Sequence, residues 1–448
     1  MISVDKMMQF FRRHWLLSSL IIAVIILRFT LLHITPPGFY LDEAATGAHV
    51  ISMLTHGTNA HGESWPLFSA SLGGGYTTPI YLYPLTAWAH IFGVSEYALR
   101  AFSLTSTVAT AALLALGMRR WLGAKAALIG GLIALILPWG WVQSSIAWDT
   151  AIVPLFIAAA FYTVTIAFNG PSAKHRLISA ALTGLCLIGL AYLYPPCRIT
   201  APLMLAGAYG TLLYKRKIAL KWVVMLIPAF ALLCLPLLQF MLQPEALERS
   251  SKLSVFHDNG ILEGLWEMGR NFVLILNPGF LFVAGDTNLR HATGPQGMLG
   301  LASLPAICAL IYFGVMRMRH FVRTRRWDHT TKSNLVLLSI IGILLSILGS
   351  ALTIEGQPHS LRATAAWPFF VILITIGWLQ ILQHTKRALQ VAIIILAMLA
   401  TIWYVIDLAV YYPKRSADAF DVPIRQRLDV NQPTPGYPPL SLFYYKNK

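Results

Sequence analysis

Stretches of a dozen or more apolar residues recur along almost the whole chain, and a water-soluble fold has no interior large enough for them. Two of the clearest are 16–27 and 126–137. A helix needs about 20 mostly apolar residues to cross the hydrocarbon of a bilayer. The first run is followed by Arg28 and then by more apolar residues. It lacks a small-residue cleavage site and exceeds a signal-peptide core, so it reads as a retained span. Charge agrees, because only 12% of the 448 residues are charged, against about 25% in an ordinary soluble domain.

Hydropathy predicts an all-α polytopic membrane protein with about 11 transmembrane helices. They fall near 16–34, 97–117, 126–145, 149–168, 177–195, 198–214, 222–241, 298–316, 334–353, 363–382 and 389–410. A cytoplasmic N-terminus then makes the even-numbered connections cytoplasmic. On that arrangement 20 of the 34 basic residues lie inside, joined by only Asp5 and Asp328 among the 18 acids. Basic residues set orientation, so residues 1–410 form one membrane domain with its N-terminus in the cytoplasm. The net charge of +16 is spread in short clusters between apolar runs, which argues for loops and against a nucleic-acid partner. The four cysteines have no metal-like spacing, and no disulfide framework follows.

The segment Pro79–Phe92 is apolar but has only 14 residues. Counting it as a span would reverse everything downstream, so it is expected to lie in the interface or re-enter the outer leaflet. Three segments on the outer side can then hold chemistry: the first loop 35–96, a second loop 242–297, and a C-terminal tail 411–448. The tail, with five prolines after Val422, is expected to be extended and packed on the outer surface.

The first outer loop opens Gly38-Phe39-Tyr40-Leu41-Asp42-Glu43-Ala44. Two adjacent carboxylates beside hydrocarbon are costly unless they face water, a cation or a basic partner. One could take a proton from an acceptor hydroxyl while the other binds a cation or holds geometry. A plainer reading has Asp42 capping the next helix and Glu43 solvated. Spacing alone leaves both open.

Further polar residues gather at the same boundary: Asp149, Tyr194, Arg198, Arg290, His291, His359 and Arg362. An arginine fork suits the phosphate of an anionic lipid. Each arginine alone is better explained by snorkelling or by pairing with Asp149 or Glu355; several cations with a carboxylate pair at one interface make the stronger case for a lipid phosphate. His49, His56 and His61 follow the acidic pair without a zinc-site spacing and read as surface or packing residues. Gly73-Gly74-Gly75 matches no phosphate-binding fingerprint and reads as a turn.

These motifs, in this order, resemble the bacterial phospholipid-carrier-dependent glycosyltransferases of the GT-C superfamily, relatives of protein O-mannosyltransferases and aminoarabinose transferases. The resemblance rests on Gly38 to Ala44 after a first span and on His61-Gly62-Glu63-Ser64-Trp65-Pro66. It continues at Glu96-Tyr97-Ala98-Leu99-Arg100, Trp148-Asp149-Thr150, Phe280-Leu281-Phe282 with Gly285-Asp286 to His291, and His359-Ser360-Leu361-Arg362. It implies a GT-C-like fold, a polyprenyl-phosphate-linked sugar donor, and a lipid, glycan or protein acceptor outside the cytoplasm. It also implies an inverting displacement with Asp42 as base and Glu43 as its catalytic neighbour. His359, Arg362, Arg198 and Arg290 would bind the donor phosphate; Asp149, His291 and Tyr194 would touch substrate. Some members of the superfamily use a divalent cation, and no complete ligand set is evident here. With no Asn-x-Ser/Thr sequon in the chain, the expected location is a bacterial inner membrane. A transporter or flippase of a lipid-linked sugar, and a lipid-linked glycan ligase or polymerase, are the competing readings.

Overall fold

The computed structural model describes residues 14–71, 75–324 and 330–420. Helix α1 (Trp15–Leu31) leads to a first loop region with α2 (Leu41–His56), a small hairpin of β1 (Ser69–Ser71) and β2 (Gly75–Thr77), and α3 (Pro79–Phe92). There follow α4 (Glu96–Leu122), α5 (Ala124–Ile136), α6 (Pro138–Ser144), α7 (Val153–Asn169), α8 (Ala173–Leu193), α9 (Cys197–Tyr214) and α10 (Leu220–Met241). The second loop region carries α11 (Pro244–Lys252) and α12 (Ile261–Ile275). The remaining helices are α13 (Leu304–Thr324), α14 (Thr331–Ala351), α15 (Trp367–His384), α16 (Arg387–Ile406) and α17 (Tyr412–Phe420).

All eleven expected spans fall on helices, but eleven is not the number that qualifies. Among the described residues eight helices are long and apolar enough to cross a bilayer, and α5 with α6, bent by 55° at their junction, makes a ninth. Helix α1 is described over only 17 residues, and α9 is diluted by Arg198, Pro202 and two tyrosines. The short helices α2 and α3 are not among the spans, as expected for the first outer loop.

Side-chain caps start three of the long helices. The Ser95 hydroxyl accepts from the Ala98 amide at α4, Ser172 from His175 at α8, and Thr330 from Ser333 at α14. Small residues then let the helices approach closely, as lipid-embedded packing requires. At Gly377 of α15 an added Cβ would lie 2.1 Å from the Ala306 carbonyl oxygen of α13.

The bend between α5 and α6 has a specific remedy. Pro138 has no amide to donate, and the Trp139 amide turns to the Met298 carbonyl at 2.8 Å, so the carbonyls around the break need other donors. Arg28 of α1, fully buried, donates to the Leu135 oxygen at 2.9 Å, the Gly140 oxygen at 2.8 Å and the Ser144 hydroxyl at 2.5 Å. Its guanidinium lies 4.9 Å from the centre of the Trp141 ring. The isolated arginine after the first apolar run is therefore the buried filler of a helix break.

The expected extended tail is corrected over its first ten residues. A wide turn at Asp407–Tyr411 leads into α17. There Tyr412, Ser416 and Phe420 are buried, and Arg415 donates to Asp407 at 2.8 Å and to the Thr293 oxygen at 2.9 Å. Buried side chains every fourth residue, fixed by an ion pair, favour a helix where composition further along suggested none. Residues 421–448 lie outside the described residues, as do Gly73 and Gly74.

Candidate active site at the Asp42 end of the bundle

Helix α2 begins one residue before Asp42, and its first turn divides the two acids by environment. Glu43 is fully buried. Its Oε1 accepts from Arg100 Nε at 2.9 Å and from the Ala147 amide at 2.8 Å; its Oε2 accepts from Arg100 Nη2 at 2.8 Å and from the Tyr40 amide at 3.0 Å. Arg100, equally buried, also binds Glu96 and donates to the Gly38 oxygen at 2.5 Å. One ion pair thus ties the first loop, α2, α4 and the 145–148 turn together. Glu43, not Asp42, caps the helix start by reaching back to Tyr40.

Asp42 has none of these duties. It is half-buried, and among the described residues no hydrogen bond reaches its carboxylate. Burial raises its pKa above the ordinary 3.8; the charges of Arg290, Arg249 and His291 oppose the shift, and Glu43 adds to it. Asp149, in the turn that opens α7, lies within electrostatic range of Asp42. Tyr194 is within range of Asp149, Arg362 and Arg249.

Across from Asp42, the loop 284–291 folds on the Asp286 carboxylate. One oxygen accepts from the Asn288 amide at 2.9 Å; the other accepts from the Ser360 amide at 2.8 Å and lies 3.1 Å from His291 Nδ1. Burial would raise Asp286, but the His291 contact and these amides hold its pKa below the usual carboxylate range. The His291 and His359 rings are 4.8 Å apart. His359 Nδ1 is buried without a hydrogen-bond partner, and burial with the charges of His291 and Arg362 pushes His359 down to about 2. Ligand atoms of Asp286, His291 and His359 lie within 4.8 Å of one another. A carboxylate and two imidazoles, one of them with an orphaned buried nitrogen, suit a divalent cation, and the geometry of these three residues fits one. The loop bearing His359 is held by Trp139 and Gln143, both donating to the Ser360 oxygen, at 3.1 and 3.2 Å.

The cations divide unevenly. Arg290 stacks 4.4 Å from the centre of the Tyr40 ring, two residues from Asp42, and donates to Asn288 at 3.2 Å. Arg362, a first choice for phosphate from sequence, is instead spent on its own loop. It donates to Thr353 and to the Glu355 carbonyl, each at 2.9 Å, and to the Glu355 carboxylate at 2.8 Å; the plainer pairing holds. Arg198 lies over Phe240 at 5.8 Å and is absent from the charges acting on Asp42. Arg249, missed in the sequence, does act on Asp42, and its guanidinium lies against Gly75 at the hairpin. Only its position in the 242–297 segment, expected on the outer side, could have singled it out. Of the first-loop histidines, His49 is buried and packed, whereas His56 and His61 are exposed. His49 Nδ1 accepts from the Ala60 amide at 3.2 Å, and its Nε2 lies 3.1 Å from the Ala70 oxygen.

No family model matches the chain, and no curated protein matches it. Solved structures do. The archaeal oligosaccharyltransferase AglB from Archaeoglobus fulgidus, in complex with an inhibitory peptide and a dolichol-phosphate, is similar at TM-score 0.54 and 14% identity, over 90% of this chain and 56% of that one. The apo form of the Archaeoglobus fulgidus oligosaccharyltransferase gives 0.51 at 14% identity, over 91% and 56%. ArnT from Cupriavidus metallidurans bound to undecaprenyl phosphate is 16% identical over 94% of this chain and 82% of that chain, at TM-score 0.45. The chain spans just over half the length of the oligosaccharyltransferase it matches. At 14% identity the likeness is one of fold: this chain shares the membrane fold of the Archaeoglobus fulgidus oligosaccharyltransferase.

Proposed function

We propose that this protein is an integral membrane glycosyltransferase that moves a sugar from a polyprenyl-phosphate carrier to an acceptor on the non-cytoplasmic face of a bacterial inner membrane. The observation that carries the reading is the state of Asp42. It is a half-buried carboxylate free of hydrogen bonds among the described residues, facing cations in a fold shared with a protein solved with a dolichol-phosphate.

In the proposed reaction Asp42 takes the proton of an acceptor hydroxyl as that oxygen attacks the anomeric carbon. The bond from that carbon to the phosphate oxygen breaks on the opposite face, so configuration inverts. The carrier leaves as a phosphomonoester carrying one more negative charge, and cations placed where charge develops lower the barrier. Arg290 and Arg249, which act on Asp42, are the side chains for that task; Arg362 is held by Glu355, and Arg198, whose Nε is buried without a hydrogen-bond partner among the described residues, is a further candidate. Glu43 positions Asp42 by fixing the first turn of α2. Asp149, within electrostatic range of Asp42, and Tyr194, within range of Asp149, are the candidates to contact the sugar or acceptor. Asp286, His291 and His359 would hold a divalent cation, which when bound would draw off phosphate charge as a Lewis acid.

The test is to incubate the purified protein in detergent with a panel of polyprenyl-phosphate sugars and candidate acceptors. Consumption of one donor with release of carrier phosphate is the expected result. A donor or other solute carried intact across a liposome membrane, with none consumed, would replace the transferase reading with transport.

A further inference from the structure

The other end of the bundle holds a cavity that the proposed reaction does not use. It lies between the α7–α8 and α9–α10 connections and measures about 650 Å³. Helix α7 with its opening turn covers 21 residues from Asp149 to Asn169, which at 1.5 Å per residue puts the cavity about 30 Å from the Asp42 end.

Arg176, Arg216 and Lys217 line the cavity together with Leu177, Leu213 and Trp222. The Arg176 guanidinium is fixed by donating to the Lys217 carbonyl at 3.0 Å and to the Gly170 carbonyl at 3.3 Å. Helices α8 and α10 both begin at this cavity, through Ala173 and Leu220, so their positive N-terminal ends add to the cationic field. Acidic relief within these elements is missing, because the sequence from Tyr97 to Pro244 contains a single acid, Asp149, at the far end.

Arg216 adds a second, independent observation. Helix α9 ends with the Arg216 amide donating to the Leu213 oxygen at 2.9 Å and the Lys217 amide to the Leu212 oxygen at 2.8 Å. That pairing puts position 216 in the left-handed slot where glycine is favoured, and Arg216 sits there with φ +50°. An arginine held in a backbone conformation that suits glycine indicates that the position serves its side chain.

We propose that this cavity binds the phosphate headgroup of an anionic phospholipid from the adjoining leaflet, its acyl chains running along Leu177, Leu213 and Trp222. Cations with a fixed guanidinium suit a phosphate, and an apolar wall beside them suits a lipid more than a free anion. The proposal needs only the membrane placement of the bundle and is independent of the Asp42 chemistry.

The experiment is native mass spectrometry of the delipidated full chain in neutral detergent, titrated separately with phosphatidylglycerol, phosphatidylcholine and glycerol 1-phosphate. One phosphatidylglycerol is expected to stay bound under conditions that strip the other two. Arg216→Gly combined with Lys217→Gln should weaken it by about tenfold or more, and Lys386→Gln with Arg387→Gln, on another loop, should not. Arg216→Gly alone should weaken binding while leaving the melting temperature unchanged or raised, which separates lost binding from misfolding. Phosphatidylglycerol binding that survives the Arg216/Lys217 pair, or falls equally with the Lys386/Arg387 pair, would overturn the proposal. Glycerol 1-phosphate binding as tightly as the lipid would overturn it in favour of a soluble phosphate ligand.

Discussion

Glu43 and Arg100 meet through two hydrogen bonds, of 2.9 and 2.8 Å, in a fully buried position beside Asp42. Removing one partner of such a pair leaves the other charge buried and alone, which typically costs about 3–5 kcal/mol. Glu43→Ala and Arg100→Ala should therefore both lower the thermal midpoint sharply in detergent. The double variant should lose less than the sum of the two, because neither charge is stranded. Additive losses would show that the pair is not coupled.

Arg28 should matter for stability in a different way. Arg28→Leu leaves the Leu135 and Gly140 carbonyls without their donor at the α5–α6 break, and each unmet buried group costs roughly 1–3 kcal/mol. The expected outcome is a lower midpoint and faster proteolysis near residues 137–145, with Arg28→Lys recovering part of the loss. A variant as stable and as protease-resistant as the parent would contradict this role.

The pH dependence follows from Asp42. Its pKa is raised above 3.8, mainly by burial, while Arg290 and Arg249 pull it down. A base must be ionised, so carrier release should fall as pH drops through that raised value, about tenfold per unit once below it. Arg290→Gln removes a charge that favours the ionised form, so its acid limb should move to higher pH. The stability sign is opposite. A carboxyl whose pKa rises on folding binds its proton more tightly in the folded state, so ionisation above that pKa costs stability. Melting temperature measured against pH should then show Asp42→Asn gaining relative to the parent as pH climbs from the ordinary 3.8 through the raised pKa, with the full gain above it and none below 3.8.

The Asp286, His291 and His359 cluster predicts a metal stoichiometry. Purified protein dialysed against zinc or manganese and then desalted should retain one divalent ion per chain by elemental analysis. His359→Ala should lose it with the fold intact, because the His359 Nδ1 nitrogen has no hydrogen-bond partner to forfeit. Retention of a full equivalent by this variant would place the ion elsewhere.

The spans were legible in the sequence because lipid demands continuous apolar runs, and the expectation that Asp42 lies on the outer side rests on their order and on the basic loops. What stayed hidden was pairing across distance. Asp42 and Glu43 are neighbours with the same charge, and nothing local shows that Glu43 is claimed by Arg100, 57 positions away. Arg28 looked like an interruption of α1 because the carbonyls it serves are more than 100 positions off. Sequence shows Arg362 near the boundary but not that its fork is held by Glu355 and Thr353, and it gives no local mark to Arg249. The hydropathy of 387–410 likewise could not foresee that Tyr412, Ser416 and Phe420 would find a buried face.

The most direct test of the account is single-turnover release of carrier phosphate from the preferred polyprenyl-phosphate sugar by Asp42→Asn. The substitution keeps size and removes the base, and among the described residues no hydrogen bond depends on the carboxylate. The account predicts a folded variant, at least as stable as the parent at neutral pH, whose release rate is lower by roughly 10²–10⁴-fold, the range expected for loss of a general base. An unchanged rate in a folded Asp42→Asn protein would contradict the assignment of Asp42.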